Sequence, residues 1–414
     1  MLRFSPSPTG DMQLNTLRIA IVNYLVARQR NLPFLVRIDD TDKARVIEGK
    51  DTEFMQILEK FSLIHDSVFH QSEHLHMHQT LAIRLLQEGK AFVCTCQTEE
   101  RPYSGKCMAL ESSEYARLKE SGETFVIRLK KPNASVGIQD TIQGDITASP
   151  DEIDSLVILN TDSTPTGNFA SACDDMLGGV SCIITDADHT ADTLKQVYIK
   201  QMLGFKEETR YAHLPAIEND EQTPSLTQLF KEGFIPDAII NYLLLLGYED
   251  APQEIFTLPE AISWFELEKF TTSPVRHDID KLRMINREHL MRMDDKRLSG
   301  LFGFADADIG KLAKVYLHEC FTIGELEEKI KPIFTPKPFD GSYESVMRNL
   351  QQVLTDAPMF DTYDALEAYV IQQTSLEREV LNIPLRLLLT GAKEGPALAE
   401  IYPYIRCYLL EVIS

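Results

Sequence analysis

Cys94, Cys96 and Cys107 fall within 14 residues of one another. Clustered thiolates are soft, anionic donors of the kind that hold Zn2+ in closed structural sites. The chain has seven cysteines, an odd number, and its start, Met1-Leu2-Arg3-Phe4, runs straight into a proline-rich loop. No signal peptide is expected from such a start, and the thiols are expected to be reduced and cytosolic rather than paired in disulfides. The cluster is therefore a candidate metal site, with unliganded thiols in a turn-rich segment as the alternative. Cys173, Cys182, Cys320 and Cys407 lie in apolar contexts and are expected to be buried packing residues. A histidine run, His65, His70, His74, His76 and His78, is a second place to look for metal chemistry. The spacing of two in His74, His76 and His78 does not suit one helix face, so a solvated linker is expected there. No nucleophile–base triad, dinucleotide fingerprint or metalloprotease helix is evident.

These groups need elements to position them. The apolar stretch 2–4 precedes a loop at 5–10, and Leu17, Ile21, Tyr24 and Leu25 then recur at helical spacing. Asn31-Leu32-Pro33 stops that helix, and Phe34-Leu35-Val36-Arg37-Ile38 reads as a buried strand. Strand, helix and strand in this order place a helix N-terminus beside strand ends, where α/β sheets bind ligands. Residues 71–165 mix helix and short strands, and 166–204 return to sheet and helix, so the middle reads as an insertion. Helical patterns dominate afterwards, at 236–248, 278–293, 306–321, 325–333 and 343–355, with a loop at 335–340. Trp264 is expected in the core.

At 414 residues, 43% hydrophobic and 25% charged, the chain is expected to form two to four globular domains. No apolar run reaches the roughly 18–20 residues that span a bilayer, so no membrane is expected. A formal charge of −22 argues against generic, charge-driven binding of nucleic acid.

Several stretches, in order, resemble the glutamyl-tRNA synthetase family of class I aminoacyl-tRNA synthetases. They are Pro6-Ser7-Pro8-Thr9-Gly10, Arg37-Ile38-Asp39-Asp40-Thr41-Asp42, Gln71-Ser72-Glu73, Asp174-Asp175-Met176-Leu177, Asp188-His189, Tyr211-Ala212-His213-Leu214-Pro215, Asp278-Ile279-Asp280-Lys281-Leu282 and Pro384-Leu385-Arg386. The resemblance implies an α/β Rossmann-like catalytic domain (1–73 plus 165–210) with an inserted acceptor-binding domain (74–164). All-α stem-contact (211–298) and anticodon-binding-like (299–414) domains would follow. It also implies tRNA as a partner, and Cys94-x-Cys96-x6-Tyr103-x3-Cys107 resembles the zinc pattern in the acceptor-binding insertion of part of the family.

The family's chemistry can be followed residue by residue. Its first signature, His-(Ile/Val)-Gly-(His/Gly/Asn), packs against ATP; here Gln13, Leu14, Asn15 and Thr16 stand in its place. Leu14, Asn15 and Thr16 can equally be first-turn helix residues, with Asn or Thr as the cap. Its second signature, Lys-(Met/Leu)-Ser-Lys-(Ser/Arg), neutralises the leaving pyrophosphate; here 216–228 contain no Lys or Arg. Of its glutamate pocket, Arg3 and Ser7 match, Asp39 stands for a Glu, Gly167 for a Tyr, and Thr185 for an Arg. A hydroxyl does not replace a bidentate guanidinium. The expectation is a paralogue that keeps the fold, structural Zn2+ and a tRNA or protein partner, but not ATP and Mg2+ chemistry. The alternative is an active glutamate–tRNA ligase with a rebuilt site, serving a noncognate tRNA.

Overall fold

Leu2, Phe4, Phe34, Val36 and Ile38 are almost wholly buried. Strands apolar on both faces belong inside a parallel sheet. β1 (Leu2–Phe4) and β2 (Phe34–Ile38) accordingly run parallel, with Arg3 opposite Leu35. Between them α1 (Leu14–Gln29) buries Leu17, Ile21 and Leu25. It ends at Gln29, and Asn31, two residues on, takes a left-handed φ of 52° that turns the chain out of the helix before Pro33. This computed structural model describes residues 1–96, 103–110, 113–218, 223–339 and 341–414.

The chain continues through α2 (Lys50–Lys60), β3 (Ser67–His70), α3 (Leu75–Gln87), β4 (Ala91–Cys94), α4 (Ser113–Ser121) and β5 (Val126–Leu129). There follow β6 (Val136–Asp140), β7 (Gly144–Ala148), α5 (Pro150–Ile153), β8 (Val157–Leu159), α6 (Gly167–Leu177), β9 (Cys182–Asp186), α7 (Thr190–Met202) and β10 (Arg210–Leu214). Seven strands form one sheet in the order β3-β2-β1-β9-β10-β6-β7. All neighbours are parallel except β6 and β7, which form an antiparallel hairpin at one edge. β4, β5 and β8 make a separate antiparallel sheet. The expected Rossmann-like arrangement is present, with Phe169, Ala172 and Cys173 of α6 packed in the same core as Ala82 and Leu85 of α3.

Two compact units emerge, one of residues 1–223 and 240–277, the other of 224–239 and 278–414. Among its described residues the second is helical throughout. This division differs from the expected segments. The stretch 74–164 is not wholly separate from the first sheet, because β6 pairs with β10, Tyr211 opposite Asp140. Residues 211–298 do not stay together either, since 240–277 pack with the first unit. Short strands carry no sequence mark of which edge they join.

Three local expectations are also corrected. The histidine run is no solvated linker: His74 ends a 3-10 turn, α3 follows at once, and His78 is fully buried. Residues 74 and 78 are four apart, one helical turn, and share a face that the count by twos overlooked. Cys407 is exposed, whereas Cys173, Cys182 and Cys320 are buried. Neither Asn15 nor Thr16 caps α1; the N-cap is Gln13, with no side-chain capping bond. Trp264, expected in the core, is half-buried in the first unit, packed edge-on against Phe256 with ring centroids 4.9 Å apart.

Candidate functional site

Strand order reverses between β1 and β9, and at such a switch point the loops leave in opposite directions and open a crevice. A cavity of about 1450 Å³ lies there. Arg3, Ser7, Asp39, Gly167 and Thr185 all line it, as do Gln13 and Thr16. Leu14 instead belongs to the core, 4% exposed. Asn15 is half-buried, with a buried Oδ1 that lacks a hydrogen-bond partner among the described residues. Gln13 donates its amide to the backbone carbonyl of Asp11, 3.2 Å away. The start of α1 thus opens on the cavity without an acidic residue in its first turn.

The floor is an ion-pair network that sequence order alone did not disclose. Asp175, 1% exposed on α6, accepts bonds from Arg3 Nε at 3.0 Å and Nη2 at 3.1 Å. Arg37 Nη1 reaches the same carboxylate at 2.8 Å, and Lys200 Nζ lies 4.0 Å from it. Burial alone would raise the Asp175 pKa, but Arg3, Arg37 and Lys200 together hold it far below the usual carboxylate range. Arg37 also grips Asp39 with Nε and Nη2, at 2.6 and 3.2 Å. Arg3 is therefore a buried, paired side chain, not a surface one. Of the four lysine and arginine side chains in the cavity wall, Arg3, Arg37 and Arg45 are each paired to an aspartate. The fourth, Lys43, is exposed, near Asp162.

Gly167 and Thr185, where the family resemblance implies a Tyr and an Arg, bring only small side chains to the cavity. A Cβ added at Gly167 would meet nothing within 4 Å. Thr185, on β9 opposite His213 of β10, carries only a hydroxyl into the cavity. His213 itself joins a hydrogen-bonded row that the sequence did not reveal. Thr193 Oγ1 lies 2.9 Å from its Nε2 and Asp140 Oδ2 lies 2.7 Å from its Nδ1. Asp140 also accepts from the backbone N–H groups of Ile142, Gln143 and His213. With Thr193 3% exposed, the row braces α7, β10 and β6 against one another.

The cysteine cluster forms at the end of β4. The sulfurs of Cys94, Cys96 and Cys107 all lie within 4.8 Å of one another. Cys96 and Cys107 are 3.4 Å apart, and the Tyr103 hydroxyl is 3.5 Å from Cys94 Sγ. Bonds of about 2.3 Å from zinc to sulfur put neighbouring donors of a tetrahedron roughly 3.8 Å apart, so this set fits with small adjustments. Burial raises the Cys107 pKa, but hydrogen bonds from Tyr103, the Thr95 backbone, Cys96 and Cys94 outweigh it and leave the thiol at about 7. Residues 97–102, within the same sequence motif, lie outside the described residues, as do 219–222 of the lysine-free stretch.

Residues 1–284 match the family described as tRNA synthetases class I (E and Q), catalytic domain. A glutamate–tRNA ligase 2 of a Sulfurovum species is 57% identical over 430 residues, covering 100% of both chains. A glutamate–tRNA ligase 1 of a Nitratiruptor species is 42% identical over 436 residues, again with 100% of both covered. Among solved structures, a glutamate tRNA ligase from Elizabethkingia meningosepticum superposes with a TM-score of 0.81 at 21% identity, covering 99% of this chain and 97% of that one. That last likeness is one of fold.

Proposed function

Because the chain belongs to the class I tRNA synthetases of the glutamate and glutamine kind, we propose that it is a paralogue that has given up activation of glutamate with ATP. One observation carries this reading: of the four described lysine and arginine side chains around the cavity, Arg3 and Arg37 are buried and locked to aspartates, which leaves only the exposed Lys43 and Arg45, the latter in a surface pair with Asp42. A triphosphate needs cations free to follow its developing charge, and a guanidinium locked in a buried pair is not free. The stretch 216–228, where the family's second signature would stand, supplies no lysine or arginine. Losing one preorganised donor typically costs about 3–4 kcal/mol. Three such losses, at Gln13–Thr16, at 216–228 and at Thr185, approach 9–12 kcal/mol if additive, against a total enzymatic gain of roughly 8–23 kcal/mol.

What the chain retains points to binding. Cys94, Cys96, Tyr103 and Cys107 hold a structural Zn2+ in this reading, closing the turn after β4 without taking part in chemistry. The acceptor-binding, stem-contact and anticodon-binding-like segments keep their family roles in this reading, and a tRNA, or a protein partner in its place, occupies the retained surface in the cytoplasm. The relatives' name sets the second reading, an active glutamate–tRNA ligase serving a noncognate tRNA. The uncapped start of α1, open to the cavity, favours it, since free N–H groups at a helix start attract phosphate.

Charging of total cellular tRNA with labelled glutamate and ATP separates the two, with glutamine as a parallel substrate and an active synthetase as control. No label is expected from the folded protein, together with saturable tRNA binding in a gel shift. Labelled tRNA well above background would overturn the proposal and establish the ligase.

A further inference from the structure

Asp174 sits beside the keystone Asp175 on α6 but makes a separate set of contacts. It is 4% exposed, and among the described residues no lysine or arginine forms an ion pair with it. Its Oδ1 lies 3.0 Å from His74 Nδ1 and 2.9 Å from His78 Nε2. Its Oδ2 accepts a bond from Gln71 Nε2 at 2.9 Å, and Gln71 Oε1 in turn accepts from Thr41 Oγ1 at 3.3 Å. Asp174 is thus a buried carboxylate whose direct partners are an amide and two imidazoles, the latter side chains that also ligate metals.

We propose that His74, His78 and Asp174 form a second metal site, distinct from the cysteine cluster, that takes a divalent ion of zinc type. The three donor atoms lie within 4.8 Å of one another. Metal–donor bonds of about 2.0–2.2 Å place neighbouring ligands of a tetrahedron roughly 3.3–3.5 Å apart. An opening of a few tenths of an ångström from the observed separations admits the ion. Two imidazoles and one carboxylate are a borderline donor set, suited to Zn2+ ahead of Mg2+ or Ca2+. Histidines four apart on a helix meet one ion from one face, as these do across the start of α3. The Gln71 bond to the second carboxylate oxygen fixes the orientation of the ligand, the role outer partners play in such sites. Entry is from the His74 side, where the ring is 35% exposed, while His78 and Asp174 are buried behind it. Three protein donors leave one position for water. The bound ion neutralises Asp174 and ties α3 to α6 beneath the cavity wall that Gln71 helps to form.

The test is metal content per chain, measured on full-length protein stripped with a chelator, reloaded with Zn2+ and desalted. His74→Ala and the near-isosteric Asp174→Asn are each expected to bind one equivalent less than the unaltered protein. His76→Ala, an exposed neighbour, keeps the full content. The difference is independent of how many ions the cysteines take. Loaded with Co2+ instead, the lost equivalent removes visible absorption without thiolate charge transfer. His74 is half-exposed, so His74→Ala should fold, which its circular dichroism checks. Equal Zn2+ content in the unaltered protein and His74→Ala overturns the site and leaves a hydrogen-bond cluster; a lost equivalent that carries thiolate charge transfer overturns it as well.

Discussion

A buried carboxylate at Asp175 serves three cations at once, and removing its charge strands all of them. Asp175→Asn is expected to cost about 3–5 kcal/mol, because Arg3, Arg37 and Lys200 would stay buried without their shared counter-ion. Denaturant titration measures this; a change below about 1 kcal/mol would mean that the arginines find other partners or reach water. Gly167→Tyr is expected to leave stability nearly unchanged, since a side chain there enters open space. A melting temperature lowered by many degrees would show that the space is closed. At this scale the residues singled out in the sequence share one cavity. Arg3, Ser7, Asp39, Gly167 and Thr185 all line it because the motifs that hold them, though changed at some positions, keep their order along the chain. Asp175 was quoted only as part of a motif, and its bond to Arg3 spans 172 positions in sequence. No local pattern encodes such a pairing. His74 and His78 were legible in principle, by their spacing of four, but the alternating run obscured it.

Elements meet most closely where glycine permits it. In the second unit, helix Asp308–Tyr316 presses Gly310 onto the backbone of helix Asp295–Leu301, where a Cβ would run into the Asp295 carbonyl. Gly310→Ala is expected to destabilise by about 1–3 kcal/mol as the helices are forced apart. Gly300→Ala in the neighbouring helix meets nothing within 4 Å and should be neutral or stabilising by up to roughly 1 kcal/mol. Equal effects from the two would sink the close-packing account. The helices themselves were readable from periodicity: the expected 343–355 is Glu344–Thr355, and 278–293 is Ile279–Arg292. The first parallel strands were readable too, as unbroken apolar runs. The hairpin of β6 and β7 was not, because Val136–Asp140 alternates only weakly and its partner β10 lies about 70 residues onward.

For the molecule as a whole, acid is the informative stress. Asp140, Asp174 and Asp175 all have pKa values lowered despite burial, through His213, through His78 with Arg37, and through Arg3 with Arg37. A lowered folded pKa stabilises above the unfolded value, near 3.9, and that stability is lost as pH falls through the folded value. All three lie in the first unit; of the second unit's described carboxylates only Glu325 is lowered. Below about pH 4 the first unit is expected to unfold ahead of the second. Trp264, the single tryptophan, reports on the first unit, so its fluorescence should change at higher pH than the helical circular dichroism. Coincident transitions would refute the separate behaviour. The Asp175 network also bears on how such chains drift over generations. Its arginines are needed for folding whatever becomes of catalysis, while the side chain at Gly167 on the cavity wall meets no such structural demand. A lineage can thus discard its reaction and still pass on Arg3 and Arg37 intact, and their persistence in a descendant testifies to ancestry rather than to turnover.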